Sequence, residues 1–137
     1  MVKVDYLLRI TNRFETGGSM ARILIADDSL VVRDYMKIIL ERAGHQVIAE
    51  ATNGLDAYQK YTAHLPDVVT MDINMPGMNG IDTVKKIIGT FPDANIIMVS
   101  TNGLKPLVFE AINAGARHYI LKPIDEERLL ASITNSL

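Results

Sequence analysis

The chain has 137 residues, 48% of them hydrophobic, and a formal charge of −2; this fits one domain with an ample core and no second globular unit. The near balance of charge, without a basic block, argues against a nucleic-acid partner, and the absence of cysteine excludes disulfides, thiolate metal sites and a cysteine nucleophile. No apolar run is long enough to span a membrane, and Lys3, Asp5 and Arg9 interrupt the opening apolar stretch in a way a secretory signal does not, so a cytoplasmic protein is expected.

Residues 1–19 differ in character from the rest of the chain. A short mixed segment runs into Glu15-Thr16-Gly17-Gly18-Ser19, a linker composition, and is read as a leader, tag or extension without activity ahead of a domain at 20–137. From Met20 onward a β-branched or apolar run, a polar or glycine turn and a stretch of helical period recur five times. The first strand, Arg22 to Ala26, leads through Asp27-Asp28-Ser29 into a helix with Val32, Met36, Ile39 and Ala43 on one face; Asp28 or Ser29 can cap it and Gly44 can close it. The second, Gln46 to Ala51, carries Glu50 and reads as nearer a sheet edge; Asn53-Gly54 then turns into a helix reaching about His64. The third strand is Val68 to Asp72, followed by a helix marked by Ile81, Val84, Ile88 and Phe91. The fourth is Asn95 to Ser100, with Val108, Ala111, Ile112 and Gly115 as the next helical stripe; the fifth is His118 to Leu121, after which Leu129, Leu130 and Ile133 face inward. The methionines, Met71, Met75, Met78 and Met98 among them, read as core fillers, and His45, His64 and His118 as surface residues.

Strands one, three, four and five lack strict alternation, the pattern of strands buried on both faces of a parallel sheet. Short right-handed βα units leave few topologies, of which the flavodoxin-like order 2-1-3-4-5 is the commonest for five strands. In that order ligands sit at the carboxyl ends of the strands where the order reverses, which places Asp27, Asp28 and Asp72 side by side, with Ser100 and Lys122 ending strands four and five. Three carboxylates in one crevice repel each other, and a divalent cation resolves this; all-oxygen ligands favour Mg²⁺ or Mn²⁺ over zinc. A carboxylate can attack phosphorus to give an acyl phosphate if positive charge holds the equatorial oxygens of the transferred group. Asp72 as nucleophile, with metal on one side and Lys122 on the other, meets that need, and the Ser100 hydroxyl could donate to a phosphate oxygen. Singly, each residue has a plain structural use as cap, turn or strand end; their joint order along the strands does not.

The chain resembles the receiver domain of bacterial two-component response regulators, most closely the stand-alone chemotaxis type. The likeness covers Met20 to Leu137 and rests on Asp27-Asp28, on Met71-Asp72-Ile73-Asn74-Met75-Pro76-Gly77-Met78-Asn79-Gly80, on Ser100, on Ala114-Gly115-Ala116 and on Lys122-Pro123. It implies that Asp72 accepts a phosphoryl group from a sensor histidine kinase. Asp28 would bind Mg²⁺ directly, Asp27 mainly through water and Asn74 through its backbone carbonyl. Lys122 would contact the phosphoryl group ahead of a cis proline bond, Ser100 would move toward the phosphate and Tyr119 would turn inward. The implied output is protein binding through the fourth helix, fifth strand and fifth helix, including Lys105, Arg117, His118 and Tyr119. Thr101 departs from the small residue usual after the switch hydroxyl and could narrow access to Asp72; Asn74 and Asn102 occupy variable positions that tune self-dephosphorylation.

Three other readings compete. A phosphorelay intermediate would pass the phosphoryl group on to a phosphotransfer protein. A haloacid-dehalogenase-like aspartyl phosphatase would want a second acid two residues after the nucleophile, where this chain has Asn74. A flavodoxin-like cofactor binder would want a hydroxyl- and glycine-rich loop after the first strand, where two aspartates would repel a flavin phosphate. The receiver reading makes the protein a phosphoacceptor rather than an enzyme.

Overall fold

A computed structural model describes residues 20–137; the expected leader at 1–19 lies outside the described residues. Five strands, β1 (Arg22–Ala26), β2 (Gln46–Ala51), β3 (Val68–Met71), β4 (Ile96–Ser100) and β5 (His118–Leu121), alternate with five helices, α1 (Leu30–Arg42), α2 (Gly54–His64), α3 (Gly80–Thr90), α4 (Lys105–Ala114) and α5 (Glu126–Asn135). The strands pair in parallel in the order β2-β1-β3-β4-β5, the expected flavodoxin-like (βα)5 arrangement. The third and fourth strands are each one residue shorter than the sequence predicts: Asp72 lies just beyond β3 and Asn95 just before β4.

Strand alternation divides the core into two layers. Leu24, Ala26, Val69, Met71, Ile96 and Met98 pack with Ala57, Tyr61, Ile81, Val84 and Ile87 of α2 and α3, while Ile23, Ile25, Val68, Ile97 and Val99 pack with Met36, Ile39, Leu40, Leu129 and Ile133 of α1 and α5. Helices thus cover both faces, which is why the β1, β3 and β4 sequences run continuously apolar. At the edge β5 departs from this: Ile120 is buried, but Leu121 is exposed. It has a neighbour on one side only, so its short apolar run does not signify burial on both faces.

Local signals set most of the element ends. The Ser29 hydroxyl, not Asp28, caps α1 by accepting from the Val32 N–H, and Gly44 follows that helix at φ 93°, a conformation that costs glycine little. Asn53, Asn79 and Asp125 cap α2, α3 and α5 through their side chains. Two predicted helix-face positions are wrong. Ala43 is exposed at the end of α1 while Leu40 is buried, and Ile112 is exposed on α4 while Ala111 is buried. Met71, Met75 and Met98 are buried as expected and Met78 partly so. His64 is exposed, but the surface reading fails for His45, whose Nδ1 accepts the Ala21 N–H at 3.0 Å in a buried position at the amino end of β1.

Candidate functional site

Register brings the acids together. Ala26 is paired with Met71 at the ends of β1 and β3, so the next residue of each strand, Asp27 and Asp72, leaves the sheet at the same level. The Asp72 N–H donates to the Ala26 carbonyl at 2.9 Å and the Asp27 N–H to the Ala51 carbonyl at 3.0 Å, so neighbouring strands hold both backbones. Asp27 and Asp72 are 2% and 5% exposed, while Asp28, one residue on, faces solvent. Among the described residues these three form the acidic group that could hold a metal ion, with one carboxylate oxygen from each lying within 4.8 Å of the others.

Lys122 closes the opposite side. It stands one residue past β5 and is joined to Pro123 by a cis peptide bond. Its Nζ lies 2.8 Å from Asp27 Oδ2 and 3.4 Å from Asp72 Oδ2. Burial alone would lower the lysine pKa, but the hydrogen bond and charge of Asp27, and those of Asp72, outweigh it and raise the value, so the cation is fixed. At Asp72 burial raises the carboxyl pKa and the Asp27 charge adds to this; Lys122 and the Asn74 N–H oppose it without cancelling it. Three acids against one lysine leave negative charge in excess. An all-oxygen set of two buried carboxylates and one exposed carboxylate fits a hard divalent cation of the Mg²⁺ kind, which keeps several waters.

The β4–α4 loop carries the remaining candidates. Ser100 is fully buried, and its Oγ accepts the Asn102 N–H at 3.2 Å; its carbonyl accepts the Lys122 N–H at 2.9 Å. The Asn102 carbonyl in turn accepts the Tyr119 hydroxyl. One loop residue therefore links Ser100 to Tyr119, a role for Asn102 that its sequence position did not signal. Thr101 is exposed between them, and Asn74 is exposed two residues beyond Asp72. Lys105 and Arg117 are exposed, and His118 and Tyr119 partly so, away from the acids but joined to them through this loop and β5.

Sequence reasoning missed two further supports. Gly80 donates its N–H to the Ile73 carbonyl at 2.8 Å, and a Cβ there would stand 2.0 Å from the carbonyl oxygen of Asp72, so only glycine lets α3 begin this close behind the acid. Arg33, on the first turn of α1, donates through Nη1 to the Asp27 carbonyl at 2.8 Å. Sequence displays it only as one charged residue on a helix, and its reach is a tertiary fact.

A parallel sheet in this order, with two acids at the β1 end, one at the β3 end, a hydroxyl at β4 and a lysine at β5, is a flavodoxin-like α/β domain with an acidic crevice at the carboxyl ends of its strands. The family profile for the response regulator receiver domain matches residues 23–134, and the chain belongs to that family. Within it the chain is CheY-like. It is 46% identical over 112 residues to the chemotaxis protein CheY of Thermotoga maritima, covering 82% of this chain and 93% of that protein. With CheY of Bacillus subtilis it shares 47% over 116 residues, 85% of this chain and 97% of the relative. The crystal structure of the CheX–CheY–BeF3–Mg²⁺ complex from Borrelia burgdorferi superposes with a TM-score of 0.83 at 33% identity, covering 89% of this chain and 92% of that one.

Proposed function

We propose that this protein is the receiver of a two-component chemotaxis pathway, accepting a phosphoryl group on Asp72 from the phosphohistidine of a sensor kinase and signalling by altered protein binding. The observation that carries the reading is the pairing of a buried Asp72 with Lys122 and an excess of neighbouring carboxylates. An Asp72 oxygen attacks phosphorus, and the bond from phosphorus to the donor imidazole breaks with its electron pair returning to the ring, which takes up a proton. Lys122, already poised between Asp27 and Asp72, shifts its contact to the transferred oxygens. Asp27, Asp28, Asp72 and the Asn74 carbonyl would hold Mg²⁺. The bound ion supplies positive charge against the phosphoryl oxygens and relieves the repulsion among the acids.

Output follows from the same geometry. A phosphoryl group on Asp72 offers acceptor oxygens to the Ser100 hydroxyl. That hydroxyl now receives the Asn102 N–H, and Asn102 holds Tyr119, so movement at Ser100 reaches the fifth strand. The α4, β5 and α5 surface around Lys105, Arg117, His118 and Tyr119 is the proposed docking face, and complex formation by the CheY neighbour with CheX supports a protein as the target. The test is a titration with beryllofluoride and Mg²⁺, a stand-in for the acyl phosphate, followed by amide NMR. Shifts at Ser100, Asn102 and Tyr119 support the switch, and signals there that stay unmoved while the Asp72 region responds would overturn it. Steady turnover of a generic phosphomonoester would instead favour the phosphatase reading.

A further inference from the structure

Every polar atom of Asp27 is held. Its N–H donates to Ala51 of β2, Oδ1 accepts the Ser29 N–H at 2.9 Å, Oδ2 accepts Lys122, and its carbonyl oxygen accepts Arg33 Nη1 at 2.8 Å. The last contact differs from the rest because it fixes the peptide group joining Asp27 to Asp28. Rotation about the Cα–C bond of Asp27 would move that carbonyl and swing the Cα of Asp28, the exposed acid with no strand of its own to hold it. The same guanidinium donates through Nε to Glu50 Oε1 at 3.1 Å, and the Arg33 side chain is 11% exposed against 31% for Glu50. A largely buried arginine whose fork is engaged at two points has little freedom. Glu50 lies beside Ala51 on β2, so this strand grips the acid turn twice, once directly through Ala51 and once through Glu50 and Arg33.

We propose that Arg33, oriented by Glu50, is a positioning residue for the acid pair: it sets the Asp27–Asp28 peptide and so the place of Asp28 relative to Asp27 and Asp72. This rests on the phosphoacceptor reading for its consequence but not for its geometry. Arg33 does not touch the reacting atoms; it acts through the Asp27 carbonyl, as outer partners of metal ligands commonly do. Its charge opposes its positioning effect, since removing a cation beside three acids would by itself tighten binding of a divalent ion. The two effects therefore carry opposite signs and can be separated.

The test compares wild type with Arg33→Met, which keeps the packing of the stem, Arg33→Lys, which keeps the charge but not the fork, and Glu50→Gln, which keeps an acceptor for Nε. Two readouts are taken: the Mg²⁺ dissociation constant from amide NMR titration with the metal alone, and hydrogen exchange of the Asp28 and Ser29 amides without metal. Arg33→Lys is expected to weaken Mg²⁺ binding by about tenfold, the lower end of losses at such outer positions, and Arg33→Met by less, because the lost charge offsets part of the positioning loss; both speed exchange at both amides, while Glu50→Gln stays near wild type. Unchanged exchange, or Mg²⁺ binding as tight as or tighter than wild type in both arginine variants, would overturn the proposal. Wild type that neither binds Mg²⁺ nor labels at Asp72 would instead defeat the phosphoacceptor reading, and the exchange result would still decide the role of Arg33.

Discussion

Asp72 is held in a conflict of forces. Burial and the Asp27 charge raise its pKa above the ordinary 3.8, and Lys122 does not fully compensate. A carboxyl whose pKa is raised by folding binds more protons in the native state than in the unfolded chain, so stability falls as pH climbs from 3.8 through the raised value. At neutral pH the ionised group carries that whole penalty. Asp72→Asn is therefore expected to raise the melting temperature of the metal-free protein at neutral pH, followed by circular dichroism, with the gain shrinking as pH is lowered toward 3.8. Such a trade, stability given up where reactivity is needed, is the usual mark of a functional site. A melting temperature that fell on substitution would show that the Lys122 contact at 3.4 Å outweighs the cost of burial.

At the scale of elements, the site is made by where strands stop and helices start. The β3–α3 turn folds back so tightly that the Gly80 position abuts the Asp72 carbonyl, with no space for a methyl group. Gly80→Ala is expected to cost about 1–3 kcal/mol, the usual range for overpacking, measured by urea unfolding, and to displace the Asp72 amide signal. The strands were legible because parallel strands covered on both faces read as continuous apolar runs, and the order of Asp27, Asp72, Ser100 and Lys122 along them gave the site. Helix faces were less legible. Ala43 and Ile112 satisfy a helical stripe yet lie outside, since α1 ends before it can cover Ala43 and α4 leans on the sheet chiefly through Ala111. Arg33 and Asn102 were illegible as supports because each acts through a backbone carbonyl contact that only the assembled sheet brings about.

Over the whole molecule, chemistry and stability occupy opposite ends of the sheet. The carboxyl ends of the strands gather the acids and Lys122; the amino end is sealed in part by His45, buried and bonded to the Ala21 N–H. Burial lowers its pKa below 6.5, so the native state holds it neutral while the unfolded chain takes up a proton first. Its contribution is complete above 6.5 and is lost as pH falls through and below that value. The melting temperature should thus drop between about pH 7.5 and about pH 5.5, and by less in His45→Asn, whose amide oxygen can accept the same N–H without titrating. In the proposed switch, the contacts from Ser100 through Asn102 to Tyr119 would carry a change at the acidic crevice to the fifth strand. The central claim, that Asp72 is the phosphoacceptor, is tested most directly by incubating the protein with acetyl phosphate, with and without Mg²⁺, and trapping the acyl phosphate with borohydride before mass mapping. One Mg²⁺-dependent label in the peptide containing Asp72, absent from Asp72→Asn, is the expected result; a label acquired at the same rate by Asp72→Asn would contradict it.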